Sequence, residues 1–129
     1  MVVDTSVLIA ILQDEPERHA FIKSLEAADS LRVSMATFVE VSIVIDARHG
    51  AAGLRDLDRL INRAAIELVP VDLEQAHLAR EAFGRFGKGR HRAALNYGDC
   101  FSYALAASLA EPLLCKGSDF RHTDLTLAD

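Results

Sequence analysis

The feature that most constrains this chain is an alternation of two hydrophobic periods. Short β-branched or leucine-rich runs fall at residues 1–3, 31–36, 66–71 and 113–115. Between them lie longer stretches whose apolar residues recur at helical spacing. Strands so apolar must be covered on both faces, and helical crossovers between them make neighbouring strands parallel. The fold class is therefore α/β with a mainly parallel sheet. In such a sheet the active site is expected outside the carboxyl ends of the strands.

The helical stretches carry their own boundary signals. A helix opens at Asp14-Glu15-Pro16-Glu17, with proline and acids in its first turn, and Phe21, Ile22, Leu25 and Ala28 form its apolar face. A second helix spans 38–48 and ends at Gly50; Thr37 and Glu40 stand at capping-box spacing before it. A third spans 54–65. The run 66–71 contains Pro70, which marks an edge strand or a strand end. A helix over 73–86, with Ala76, Ala79, Phe83 and Phe86 in register, stops at Gly87. Residues 85–92 form a basic loop, and a last helix over 99–110 is entered through Tyr97-Gly98 with Asp99 as its cap.

The 129 residues are half apolar and 26% charged, which predicts one self-supporting domain over 1–129 and excludes a disordered chain. No apolar run approaches the roughly 20 residues of a membrane span. Asp4 interrupts the first one, so no signal peptide is expected. Cys100 and Cys115 sit in apolar company outside any CxxC pair, as reduced thiols of a cytoplasmic protein. A net charge of −5 argues against a domain that coats nucleic acid by bulk attraction. It leaves room for a nucleic-acid enzyme whose acids gather at a metal.

The acids fall at element junctions. Asp4 directly follows the first strand and Asp119 the last, so both project toward one edge of the sheet. Asp4-Thr5-Ser6 is also good helix-capping chemistry. Glu40 lies among Phe38, Val39, Val41, Ile43, Val44 and Ile45. A carboxylate in such a helix needs a positive partner, a metal or a proton, unless it serves only the capping box. Asp99 begins a helix whose dipole would hold it ionised. If the four converge, their repulsion calls for a cation, and oxygen-only ligands favour Mg²⁺ or Mn²⁺. The five scattered histidines offer no zinc pattern and are expected at the surface. An acid-held Mg²⁺ serves phosphate chemistry. The loop Arg85-Phe86-Gly87-Lys88-Gly89-Arg90-His91-Arg92 supplies cations and close-approach glycines for a phosphate backbone, or is simply a solvated turn. No Walker A, GxGxxG or GxSxG motif occurs.

Four segments together resemble the PIN domain, and more closely the VapC-type toxins of bacterial toxin–antitoxin pairs. They are Val2-Val3-Asp4-Thr5-Ser6, the mid-helix Glu40, Tyr97-Gly98-Asp99-Cys100-Phe101-Ser102-Tyr103-Ala104, and Leu114-Cys115-Lys116-Gly117-Ser118-Asp119-Phe120. The resemblance covers essentially the whole chain. It implies a PIN-like three-layer α/β/α sandwich and a Mg²⁺- or Mn²⁺-dependent endoribonuclease that leaves a 5′-phosphate and a 3′-hydroxyl. Asp4, Glu40 and Asp99 match the family's three central acids and would hold the metal. Asp119 matches the fourth; its segment reads Lys-Gly-Ser-Asp-Phe rather than a Thr-x-Asp type, and Asp124 is a nearby substitute. On the same footing Lys88, Arg90 and Arg92 would guide the RNA, and Thr5 and Ser6 would reach a water or a phosphate oxygen. The implied partners are an RNA substrate, a VapB-type antitoxin and a second copy in a homodimer, with no membrane. The over-apolar helix 38–45 suits such association.

Three other readings compete. A phosphoacceptor receiver module could use Lys116, but lacks paired acids after strand one and an acceptor after strand three. A DxDxT phosphatase lacks its second aspartate. A catalytically silent PIN-like binding protein would keep the fold alone. Aromatic residues available to stack on RNA are few, with Tyr97 and Phe86 the candidates.

Overall fold

In the computed structural model, which describes residues 1–128, the first apolar run becomes strand β1 (Val2–Val3) inside a four-stranded sheet. Strands β2 (Leu31–Ser34) and β4 (Leu113–Leu114) flank it, and β3 (Ile66–Val69) lies at the edge beside β2, in the order β3-β2-β1-β4. All three pairings are parallel, as helical crossovers require. β3 stops just before Pro70, which fits its edge position. Helices α1 (Thr5–Leu12), α2 (Arg18–Ala27), α3 (Met35–Arg63), α4 (Leu73–Phe86) and α5 (Tyr97–Leu109) complete the fold.

Side chains alternate across the short strands. Val2 and Leu113 pack with Ala79, Ala82, Phe86, Tyr103 and Leu105 of α4 and α5. Val3, Val33 and Leu114 pack with Val7, Leu8, Val41, Ile45 and Leu57 of α1 and α3. Two cores on opposite faces of one sheet make the three-layer α/β/α sandwich. Among the described residues, no helix is long and apolar enough to cross a membrane.

Several boundaries differ from expectation, each for a physical reason. Helix α1 went unanticipated because Thr5-Ser6-Val7-Leu8-Ile9-Ala10-Ile11-Leu12 has almost no polar face, and periodicity vanishes when nearly every position is apolar. The helices expected at 38–48 and 54–65 are the two segments of α3, which meet at a kink where Gly50 adopts the non-helical φ +62° and ψ −154°. That positive-φ conformation is open to glycine and ends the first segment, as Gly50 leads one to expect. β2 ends two residues early, so Ser34 caps α3, its hydroxyl accepting from Ala36 N–H at 3.2 Å. Thr37 is therefore buried inside the helix, and the expected capping box with Glu40 does not form. In α4 Ala82 takes the buried position, while Phe83 is turned outward. Helix α5 begins at Tyr97 with Asn96, not Asp99, as its cap. Asp119 lies on a 3₁₀ turn, Asp119–His122.

Candidate active site

The carboxyl end of β1 delivers Asp4. It is 4% exposed and caps α1, its Oδ2 accepting from Ser6 N–H at 3.2 Å and from the Ser6 hydroxyl at 2.7 Å. Its Oδ1 accepts from the Ser102 hydroxyl of α5 at 2.7 Å. Ser6 Oγ in turn accepts from Lys116 N–H at 2.9 Å, tying the segment after β4 to the start of α1. The cap is real, and it holds the carboxylate where the sheet edge predicts a site.

Glu40 comes from the early part of α3, half-buried, and its Oε1 accepts from the Thr5 hydroxyl at 2.5 Å. A Cβ at position 98 would fall inside the Glu40 carboxyl group. Gly98 is thus what lets Glu40 lie against the first turn of α5, beside Asp99. Asp99 and Asn96 form a reciprocal capping box: Asp99 Oδ2 accepts from Asn96 N–H at 3.0 Å, and Asn96 Oδ1 from Asp99 N–H at 2.9 Å.

Electrostatics tie the acids together. Burial, then the negative charges of Asp4, Glu40 and Asp119, push the Asp99 carboxyl up to about 6, against the opposing pull of the Asn96 N–H. Asp99 thus remains ionised at neutral pH, as the helix end leads one to expect, but burial and three like charges bring its protonation much closer to neutrality. Asp124 stands apart from this group. It accepts from Tyr103 Oη at 2.6 Å and from Arg85 at 3.3 Å, and these contacts hold its carboxyl below the usual range.

Among the described residues, none of Asp4, Glu40, Asp99 and Asp119 forms an ion pair. Nor do three His, Cys, Asp or Glu side chains close into a ready-made cage there. Zinc prefers a closed nitrogen or sulfur shell. Mg²⁺ binds through one or two carboxylates and keeps several waters. An open set of uncompensated oxygens fits the second kind of ion.

The expected RNA-guiding residues Lys88, Arg90 and Arg92 are exposed on the loop between α4 and α5. Lys88 N–H to Leu95 O (2.9 Å), Leu95 N–H to Phe86 O (3.0 Å) and the buried Ala93 and Leu95 pin that loop. Lys88 and Arg92 make no ion pair among the described residues, and Arg90 sits 5.8 Å from the Phe83 ring centroid. Thr5 and Ser6, expected to face substrate, donate their hydroxyl protons to Glu40 and Asp4. Phe86 is buried, whereas Tyr97 is 79% exposed and meets Phe101 edge-on at 4.9 Å. Both cysteines are free, and burial pushes each thiol up to about 11. The apolar surplus of α3 emerges as a stripe of Met35, Val39 and Ile43, exposed at successive four-residue steps.

Sequence reasoning missed Ser102, Thr37, Asn96 and Gly98. Ser102 did carry a signal, as a serine three residues after Asp99 and so on its face of the helix.

Comparison with known proteins agrees with this picture. The sequence matches the PIN domain over residues 1–125. It is 52% identical over 125 residues to a VapC ribonuclease of Mycobacterium bovis, covering 97% of this chain and 95% of that one. Its fold is similar to that of Mycobacterium tuberculosis VapC20, a sarcin-ricin loop cleaving toxin, with TM-score 0.80, 15% identity, and 98% and 97% of the two chains covered. It is also similar to VapBC2 of Rickettsia felis, solved bound to a promoter DNA fragment, with TM-score 0.76, 14% identity, and 98% and 96% covered.

Proposed function

The chain belongs to the PIN domain family, and from that premise we propose that it is an endoribonuclease dependent on Mg²⁺ or Mn²⁺. In this reading it is the cytoplasmic toxin of a VapBC-type pair, neutralised by a VapB-type antitoxin. The observation that carries the proposal is that Asp99 bears the negative charges of Asp4, Glu40 and Asp119 at the carboxyl edge of the sheet, while among the described residues none of the four forms an ion pair. Such an arrangement destabilises a fold unless a bound cation is part of its function.

Asp4 and Asp99 would hold the ion, with Glu40 completing the site directly or through a water and Asp119 contributing from its exposed turn. A bound Mg²⁺ or Mn²⁺ lowers the pKa of water and neutralises charge on phosphoryl oxygens. Glu40, oriented by Thr5, is suited to align the attacking water for displacement at phosphorus. Lys88, Arg90 and Arg92 would track the RNA backbone, and Tyr97 offers a ring for one unpaired base. The Met35–Val39–Ile43 stripe and the exposed Tyr97 and Phe83 supply apolar surface for antitoxin and for a second copy.

The test is cleavage of total cellular RNA by purified protein in Mn²⁺, Mg²⁺ or EDTA, beside Asp4→Ala. Discrete metal-dependent fragments with 5′-phosphate ends, absent with the variant, are expected. Equal cutting in EDTA, or by Asp4→Ala, would refute the metal site. An antitoxin-free preparation, verified by native mass, that cuts nothing would favour a silent binding protein.

A further inference from the structure

Asp4 is among the most enclosed charged groups in the chain, and hydroxyls rather than cations surround it. Ser6 supplies two donors to Oδ2, its N–H and its hydroxyl. Ser102, 1% exposed, supplies one donor to Oδ1 at 2.7 Å. Behind Ser102 lies Thr37, also 1% exposed, with its hydroxyl 3.3 Å from Ser102 Oγ.

The direction of this chain follows from chemistry. An ionised carboxylate only accepts, so the Ser102 proton is committed to Asp4. Ser102 can then only accept from Thr37, and the order is Thr37 to Ser102 to Asp4. The lone pairs can be counted in the same way. Each carboxylate oxygen offers about two acceptor positions. Oδ2 receives two donors and Oδ1 receives one, which leaves Oδ1 with capacity for a cation. Ser102 orients the very oxygen that remains available.

Ser102 lies in α5 among buried Cys100, Tyr103, Ala104 and Leu105, and an alanine there would leave Asp4 Oδ1 and the Thr37 hydroxyl each short of a partner, so stability and ion binding have to be read separately. We propose that Ser102, backed by Thr37, is a positioning residue that presents Asp4 Oδ1 to the divalent ion. This rests on the metal site of the function proposed above. Removing the Ser102 hydroxyl takes the fixed donor from Oδ1, and removing the Thr37 hydroxyl loosens Ser102; each weakens ion binding while leaving the Asp4 carboxylate itself in place. Groups of this kind, one step behind a ligand, typically change metal affinity about 10–100-fold.

The experiment counts free Mn²⁺ by electron paramagnetic resonance during titration of metal-free protein, with circular dichroism confirming the fold at the same temperature. It compares wild type, Ser102→Ala, Thr37→Val and the double variant, and it needs no RNA. Expected are a ~10–100-fold loss for Ser102→Ala and a smaller loss, ~3–10-fold, for Thr37→Val. In the Ser102→Ala background, Thr37→Val should add less than about 2-fold, because its effect passes through Ser102. Wild-type protein that takes up no Mn²⁺ would overturn the metal site itself and this inference with it. Wild-type uptake with Ser102→Ala binding within about 2-fold would overturn the role of Ser102 alone. If Ser102→Ala does not fold, Thr37→Val decides: weakened uptake supports the relay, and unchanged uptake overturns it.

Discussion

Replacing Asp99 by asparagine should stabilise the metal-free protein at neutral pH. The carboxyl rises from 3.8 to about 6 in the folded chain, through burial and the charges of Asp4, Glu40 and Asp119. At 1.36 kcal/mol per unit, the shift corresponds to at most ~3 kcal/mol of strain in the ionised form. Asp99 is partly exposed, and solvent screening reduces this to about 1–2 kcal/mol. Asparagine keeps an oxygen that accepts from Asn96 N–H, so the capping box survives the exchange. For a chain of 129 residues, 1 kcal/mol moves Tm by roughly 3–5 °C, so a rise of about 3–10 °C is expected.

The pH dependence has a definite sign. A carboxyl raised by folding binds its proton more tightly in the native state than in the unfolded chain. Its stabilising contribution is full below 3.8 and is lost as pH rises through about 6. Wild type and Asp99→Asn should therefore differ at pH 7.5 and converge near pH 4. The assay is thermal unfolding by circular dichroism in EDTA across that range. A variant no more stable than wild type at pH 7.5, or a gain that ignores pH, would refute the electrostatic reasoning.

Other outcomes follow from particular contacts. Gly98→Ala would drive a methyl group into the Glu40 carboxyl group; cleavage should fall at least ~10-fold, with a stability change of no more than ~1–3 kcal/mol, measured by RNA cleavage and urea unfolding. Alanine at Lys88, Arg90 and Arg92 together should raise KM with kcat little changed. It should also flatten the salt dependence of RNA binding by up to ~0.7 per cation removed, read from a log–log plot of affinity against salt. Leu113→Ala, at a fully buried position of β4, should cost about 2–5 kcal/mol by urea unfolding; a loss under ~1 kcal/mol would contradict the two-core packing of the sheet.

The legible parts of this chain were those where one local signal suffices. β-branched runs marked the strands, and Pro70 marked the edge of the sheet. Helix α1 was hidden because an all-apolar helix resembles a buried strand until its cap is seen. Thr37 reads as a cap only if β2 runs on to residue 36; the strand ends at Ser34, which takes the cap instead. The four acids could be nominated from their junction positions. The hydroxyls that hold them could not, since Ser102 and Asp4 are 98 residues apart in sequence. The size of the upward shift on Asp99 is hidden from the sequence for the same reason. A helix dipole is a local property, whereas burial and three converging charges are set by the tertiary fold.

The central claim is that these carboxylates form one divalent-metal site, and anomalous diffraction from crystals soaked in Mn²⁺ tests it most directly. A single dominant manganese peak is expected in bonding contact with Asp4 Oδ1 and Asp99, with Glu40 in contact directly or through one water. No peak, or a dominant peak that touches neither Asp4 nor Asp99, would contradict it.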